Sequence, residues 1–96
     1  MLIIQGYIHI PPADVDDFIN ATEAVGHATR QEAGCLFYAI ALDERRTGRF
    51  LVSQRWRDRH AIAAHLARAT TKAFLGEWQS RMQYDLQDFE GVEPVS

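Results

Sequence analysis

Histidine and aromatic positions hold what chemistry this chain can offer. His65 falls with Ile62, Leu66 and Ala69 at positions i, i+3, i+4 and i+7, which puts a histidine on the apolar stripe of a helix. Two readings stand side by side: a core histidine satisfied by a neighbour, or a proton acceptor or donor inside a mostly apolar pocket. Trp56 ends an alternating stretch and shares a face with Gln54. It reads as a core tryptophan whose indole N–H finds a partner, or as an aromatic wall of that pocket. His9 alternates with Gln5 and Tyr7, so the three share a face. That face either adds polar groups to the pocket or meets a second copy of the chain. An apolar pocket with a few converging polar groups suits an aromatic small molecule.

Other chemistries lack their residues. There is no glycine-rich phosphate loop, no His-Glu-x-x-His, no Cys-x-x-Cys and no Gly-x-Ser-x-Gly. His27 lies opposite Phe18 on its helix and His60 sits in a first turn, so both read as solvated. The four histidines spread over three elements, and no metal site is expected. Cys35 stands alone, so it forms no internal disulfide and reads as a small hydrophobe. Arg45, Arg46, Arg49, Arg55, Arg57 and Arg59 interleave with Asp43, Glu44 and Asp58 as a solvated, salt-bridged face. The net charge of −3 argues against a nucleic-acid partner. No apolar run reaches the roughly 18 residues of a membrane span. Met1-Leu2-Ile3-Ile4-Gln5 carries neither a basic segment nor a cleavage site, and with the single cysteine the expected location is cytoplasmic.

These side chains need elements to hold them. The 96 residues make one domain, residues 1–96, with a short tail over 91–96. Residues 2–10 are rich in β-branched and aromatic types and read as a strand that Pro11-Pro12 stops. Asp14, Asp16 and Asp17 open a helix over about 13–32, with Val15, Phe18, Ile19, Thr22, Val25 and Thr29 as its inner stripe and Gly34 as its C-terminal cap. Residues 35–42 form a strand that is apolar on both faces, 43–48 a hairpin turn and 49–56 a third strand. Asp58 caps a second helix, Thr70 and Thr71 interrupt or recap it, and Phe74, Leu75 and Trp78 continue its apolar face. Residues 82–89 read as a fourth strand. The order βαββαβ predicts an α+β, ferredoxin-like fold: a four-stranded antiparallel sheet with two helices on one face. An open apolar face on the other side predicts a two-fold homodimer.

The residues also resemble a known family. Glu32-Ala33-Gly34-Cys35-Leu36-Phe37-Tyr38 resembles the Glu-x-Gly-Cys-x-x-Tyr lead into the second strand of antibiotic biosynthesis monooxygenase domains. The stretch from Gln54 through Trp56, Asp58, Ala61 and Ile62 to His65 is similar to their Glu-x-Trp-x-Asp-x-x-Ala-hydrophobe-x-x-His segment, and Lys72-Ala73-Phe74 to their Lys-Ala-Phe. The likeness covers nearly the whole chain, including length and element order. It implies a dimeric α+β barrel. It also implies quinol monooxygenase-like activity: oxidation of quinol- or polyphenol-type aromatics by molecular oxygen, without flavin, haem or metal. A deprotonated quinol can itself pass an electron to oxygen. The protein need only bind it, exclude water, help remove a proton and stabilise the anion.

On that resemblance His65 would accept the phenolic proton, and Trp56 would wall the pocket and donate its N–H to a substrate oxygen. Gln54 and Tyr38 would position the substrate, with Ile62, Phe74 and His9 completing the binding residues. Gln54 stands where the family usually has Glu. Val52, Ile62 and Gly76 stand where the anthrone-oxygenase branch carries Asn, Tyr and Arg, which argues against that branch. Phe74 and Leu75 stand where the haem-degrading branch needs a histidine, and Thr70 replaces a frequent second histidine. The alternative is a non-catalytic dimeric module that binds a small molecule or serves a stress response, since fold does not guarantee chemistry. An isomerase or cyclase acting on a related aromatic is a third reading.

Overall fold

Period-two burial sets the sheet. In a computed structural model that describes residues 1–91, β1 (Leu2–His9) turns Leu2 and Ile8 inward, and β3 (Arg49–Trp56) does the same with Phe50, Val52 and Trp56. β2 (Cys35–Glu44) and β4 (Gln83–Glu90) complete a four-stranded antiparallel sheet of order β2-β3-β1-β4, the ferredoxin-like arrangement expected. Residues 92–96, most of the expected tail, lie outside the described residues.

α1 (Val15–Arg30) buries Val15, Phe18, Thr22, Val25 and Thr29 against this sheet, as its spacing predicts. Phe18 is fully buried, with edge-on rings of Phe50 at 4.8 Å and Trp78 at 4.9 Å. Such pairs add about 0.5–1.5 kcal/mol each beyond their area. The helix is shorter than expected at both ends. A 3₁₀ turn over Pro12–Asp14 precedes it, and it stops at Arg30, four residues before Gly34. Gly34, at φ +83°, instead closes the turn into β2. A Cβ there would lie 2.6 Å from the Ala61 methyl, so the missing side chain lets the next helix come close.

The predicted second helix is two helices, α2 (Arg59–Ala67) and α3 (Ala69–Trp78). Asp58 caps α2 as expected, accepting from the Ala61 N–H at 2.9 Å. The buried face of α2 is Ala61 and His65, whereas Leu66 and Ala69 of the expected stripe are exposed. Contact with Gly34 rotates the helix toward Ala61. A continuous helix would carry that face onto Arg68 and Lys72. The break at Arg68 (φ −72°, ψ 145°) rotates it onto Thr71 and Trp78 instead. Neither Thr70 nor Thr71 recaps the chain, because α3 starts from Arg68 with no side-chain cap.

The arginines form a surface ion-paired face: Arg49 pairs with Asp43, Arg46 with Glu44 and Arg57 with Asp58 within the expected set, whereas Arg45 reaches Asp16 on α1 and Arg59 reaches Asp88 and Glu90 on β4. The outer sheet face exposes Tyr7, Phe37, Leu51 and Phe89. Arg49 stacks over Tyr7 and Arg55 over Phe37. No helix among the described residues is long and apolar enough to cross a membrane.

Gly6 sits mid-sheet opposite Val52 and Leu86 at φ +148°, where a Cβ would run into the Asp85 carbonyl. Gly6→Ala is expected to lower unfolding free energy in urea by about 2 kcal/mol or more. Gly76, with nothing near its Cβ position, gives the opposite sign: Gly76→Ala should stabilise α3 by about 0.5–1 kcal/mol.

Candidate active site

A cavity of about 250 Å³ lies between the inner sheet face and the helices. Its walls are mostly apolar, with Ile4 and Ile40 from the sheet and Ile62 and Phe74 from the helices. Gln54, Tyr38, His65, Thr71 and Tyr84 are the polar side chains that reach it. Five of the residues singled out from sequence therefore converge on one space: Tyr38, Gln54, Ile62, His65 and Phe74.

Trp56 does not wall the cavity. It is fully buried behind it, because Leu2, Tyr38 and Ala61 close a second small core around the indole. Its N–H donates to Gln54 Oε1 at 3.0 Å, so it is already engaged and not free for a substrate oxygen. Its ring lies 4.8 Å from that of His65, tilted by 37°. Trp56 thus fixes two cavity side chains from behind, one by a hydrogen bond and one by packing.

His9 also departs from expectation. Ile8 and Ile10 point into the core, so alternation sends His9 to the opposite face, into a surface depression beside Thr47 and Arg81. Of the positions that carry polar groups in the anthrone branch, Val52 is buried, Ile62 lines the cavity and Gly76 faces open space.

Glu32 is the residue that sequence reasoning passed over as a partner. It is buried, and both its carboxylate oxygens lie within reach of His65 Nδ1, at 3.0 and 3.2 Å. Thr71 Oγ1 stands 3.4 Å from the same nitrogen, and Arg68 Nε is 3.8 Å from the carboxylate. With Nδ1 committed, Nε2 is the ring nitrogen left for a ligand. The signal in the sequence was a carboxylate two residues ahead of a turn glycine, visible only as part of the motif around Gly34.

Burial, with smaller contributions from Cys35 and Glu32, pushes the Tyr38 hydroxyl up to about 12. It is therefore a neutral phenol at ordinary pH. Burial also pushes the Cys35 thiol up, in keeping with a small hydrophobe rather than a reactive thiolate. Among the described residues, no group of three or more His, Cys, Asp or Glu is arranged to hold a metal ion. The cavity can take an aromatic ring and present it with an imidazole, a carboxamide, the phenols of Tyr38 and Tyr84 and the Thr71 hydroxyl.

The sequence profile described as antibiotic biosynthesis monooxygenase matches residues 1–77. A proposed antibiotic biosynthesis monooxygenase from Deinococcus radiodurans superposes with a TM-score of 0.84 at 23% identity, over 100% of this chain and 97% of that one. One from Caulobacter crescentus gives 0.84 at 18% identity, over 96% and 90%. At these identities the likeness speaks for the fold. An uncharacterized protein of Synechocystis is 30% identical over 64 residues, 67% of this chain. The chain spans only 44% of that relative's length.

The buried phenol has a measurable consequence. The folded state keeps a proton that the unfolded chain releases near pH 10, so stability present below pH 10 is lost as pH rises toward 12. The loss amounts to about 2–3 kcal/mol. Tyr38→Phe should flatten this part of the stability–pH curve, read from urea unfolding between pH 9 and the alkaline limit of reversibility.

Proposed function

Because the chain belongs to the antibiotic biosynthesis monooxygenase family, we propose that it is a cofactor-independent monooxygenase that oxidises quinol- or polyphenol-type aromatics with molecular oxygen. The observation that carries this reading is a histidine held by Nδ1 in an apolar cavity, with Nε2 left for the ligand. A phenolic O–H placed against Nε2 loses its proton there, and the electron-rich anion reduces oxygen. One oxygen atom enters the ring and the other leaves as water, so the quinol supplies the electrons that a cofactor would otherwise carry. Tyr38, a neutral donor, stabilises charge on a substrate oxygen. Gln54 offers its NH₂ group to the ligand while its oxygen holds Trp56. Ile62 and Phe74 grip the ring and keep water out.

The reading includes a cytoplasmic homodimer. Tyr7, Phe37, Leu51 and Phe89 leave an apolar outer sheet face that a second copy would cover. A dimeric binding module without turnover is the second reading. It is favoured by the apolar Ile62 and the neutral Gln54 in the cavity wall, which leave His65 as the wall's one ionisable group besides its two tyrosines.

Oxygen uptake by the purified protein separates the two. With 1,4-naphthohydroquinone and hydroxyanthrones, wild type should exceed spontaneous oxidation, and His65→Ala should lose about 10²–10⁴-fold in kcat. Trp56→Phe, which loses the bond to Gln54, should fall in between. Equal rates in all three remove these roles, and no uptake across the panel favours the binding module. Sedimentation tests the assembly: wild type should run as a dimer and Leu51→Arg as a folded monomer.

A further inference from the structure

Glu32 is a buried carboxylate that the proposed reaction leaves without work. Its side chain is 4% exposed, and it does not line the cavity, so it can touch a ligand only through another residue. That residue is His65. The two oxygens straddle Nδ1 at 3.0 and 3.2 Å, so the N–H lies between them rather than along one.

We infer that Glu32 is the positioning residue that sets the His65 tautomer and holds Nε2 unprotonated toward the cavity, an inference that rests on the oxygenase reading for its role in turnover. A carboxylate only accepts, so the proton on that edge of the ring must sit on Nδ1. The other nearby group, the Thr71 hydroxyl at 3.4 Å, can donate or accept and would leave the tautomer open. The charge matters as much as the geometry. When His65 takes a proton, an imidazolium forms in a site that is 6% exposed and mostly apolar. A buried charge is tolerated only when paired, and Glu32 is the negative group in contact. Arg68, half-exposed at the break between α2 and α3, lies 3.8 Å from the Oε2 that bonds His65. It holds the carboxylate from the solvent side.

The backbone prepares this meeting. Glu32 donates its N–H to the Thr29 carbonyl at 3.0 Å and accepts from the Cys35 N–H at 3.2 Å. The left-handed Gly34 then lets Ala61 approach, one turn ahead of His65 on the same face of α2. A carboxamide in place of Glu32 would preserve shape and hydrogen bonding. It would lose the charge and could donate its own N–H to Nδ1, moving the ring proton to Nε2.

The test is ¹⁵N-labelled protein read by two-bond ¹H–¹⁵N spectra at neutral pH, with His65→Ala used to assign the ring. Wild type should carry its proton on Nδ1, and Glu32→Gln should move it to Nε2. With 1,4-naphthohydroquinone, Glu32→Gln should lose at least about tenfold in kcat while KM stays within about twofold. A wild-type proton on Nε2 overturns the assignment, and that spectrum decides even if Glu32→Gln does not fold. An unshifted tautomer or an unchanged kcat in a folded variant overturns it too. If wild type oxidises no quinol, the oxygenase reading fails on activity, while the spectra still decide what Glu32 does to His65.

Discussion

A carboxylate and an imidazole meet inside this protein from elements that are 33 residues apart in the chain. Burying such a pair is unfavourable unless each partner satisfies the other, so every element that brings them together is under constraint. α1 must end before Glu32, the turn at Gly34 must run left-handed, and α2 must lie close enough for Ala61 to touch it. The cap at Asp58 fixes where α2 starts and hence the phase that turns His65 inward. The break at Arg68 follows from the same demand, since continuing that phase would bury Arg68 and Lys72.

The two cores divide the labour around the cavity. Phe18, Phe50 and Trp78 interlock α1, α3 and the sheet. Leu2, Tyr38, Trp56 and Ala61 seat α2 on the other end. Each fully buried large side chain contributes about 1.5–3 kcal/mol, which makes both ends stiff. The cavity lies between them. Its polar groups are therefore presented from rigid backing: His65 by Trp56 and Glu32, and Gln54 by the indole N–H.

A sparse polar set suits the chemistry proposed for it. When the substrate carries its own reducing electrons, the protein has little more to do than bind the ring, accept a proton and keep water away. An imidazole with one free nitrogen, a phenol that stays neutral and a carboxamide are enough for that. The same sparseness would also serve a module that only binds, which is why turnover rather than geometry separates the two readings.

Much of this was legible in sequence because its causes are local. Alternation in β1 and β3, the helical stripe of α1, the hairpin turn between β2 and β3 and the Asp58 cap depend on residues a few positions apart, and the structure repeats them. That Tyr38, Gln54, Ile62, His65 and Phe74 share one space is what the family resemblance implied, and the cavity brings them together. Alternation also grouped His9 with Gln5 and Tyr7, but it could not say which face of the sheet holds the cavity. Only the helices decide that, by covering one face, and His9 lies on the other. The exposure of Leu66, the break at Arg68 and the pairing of Glu32 with His65 were decided in three dimensions. Each depends on contacts between segments that no periodicity within either segment encodes.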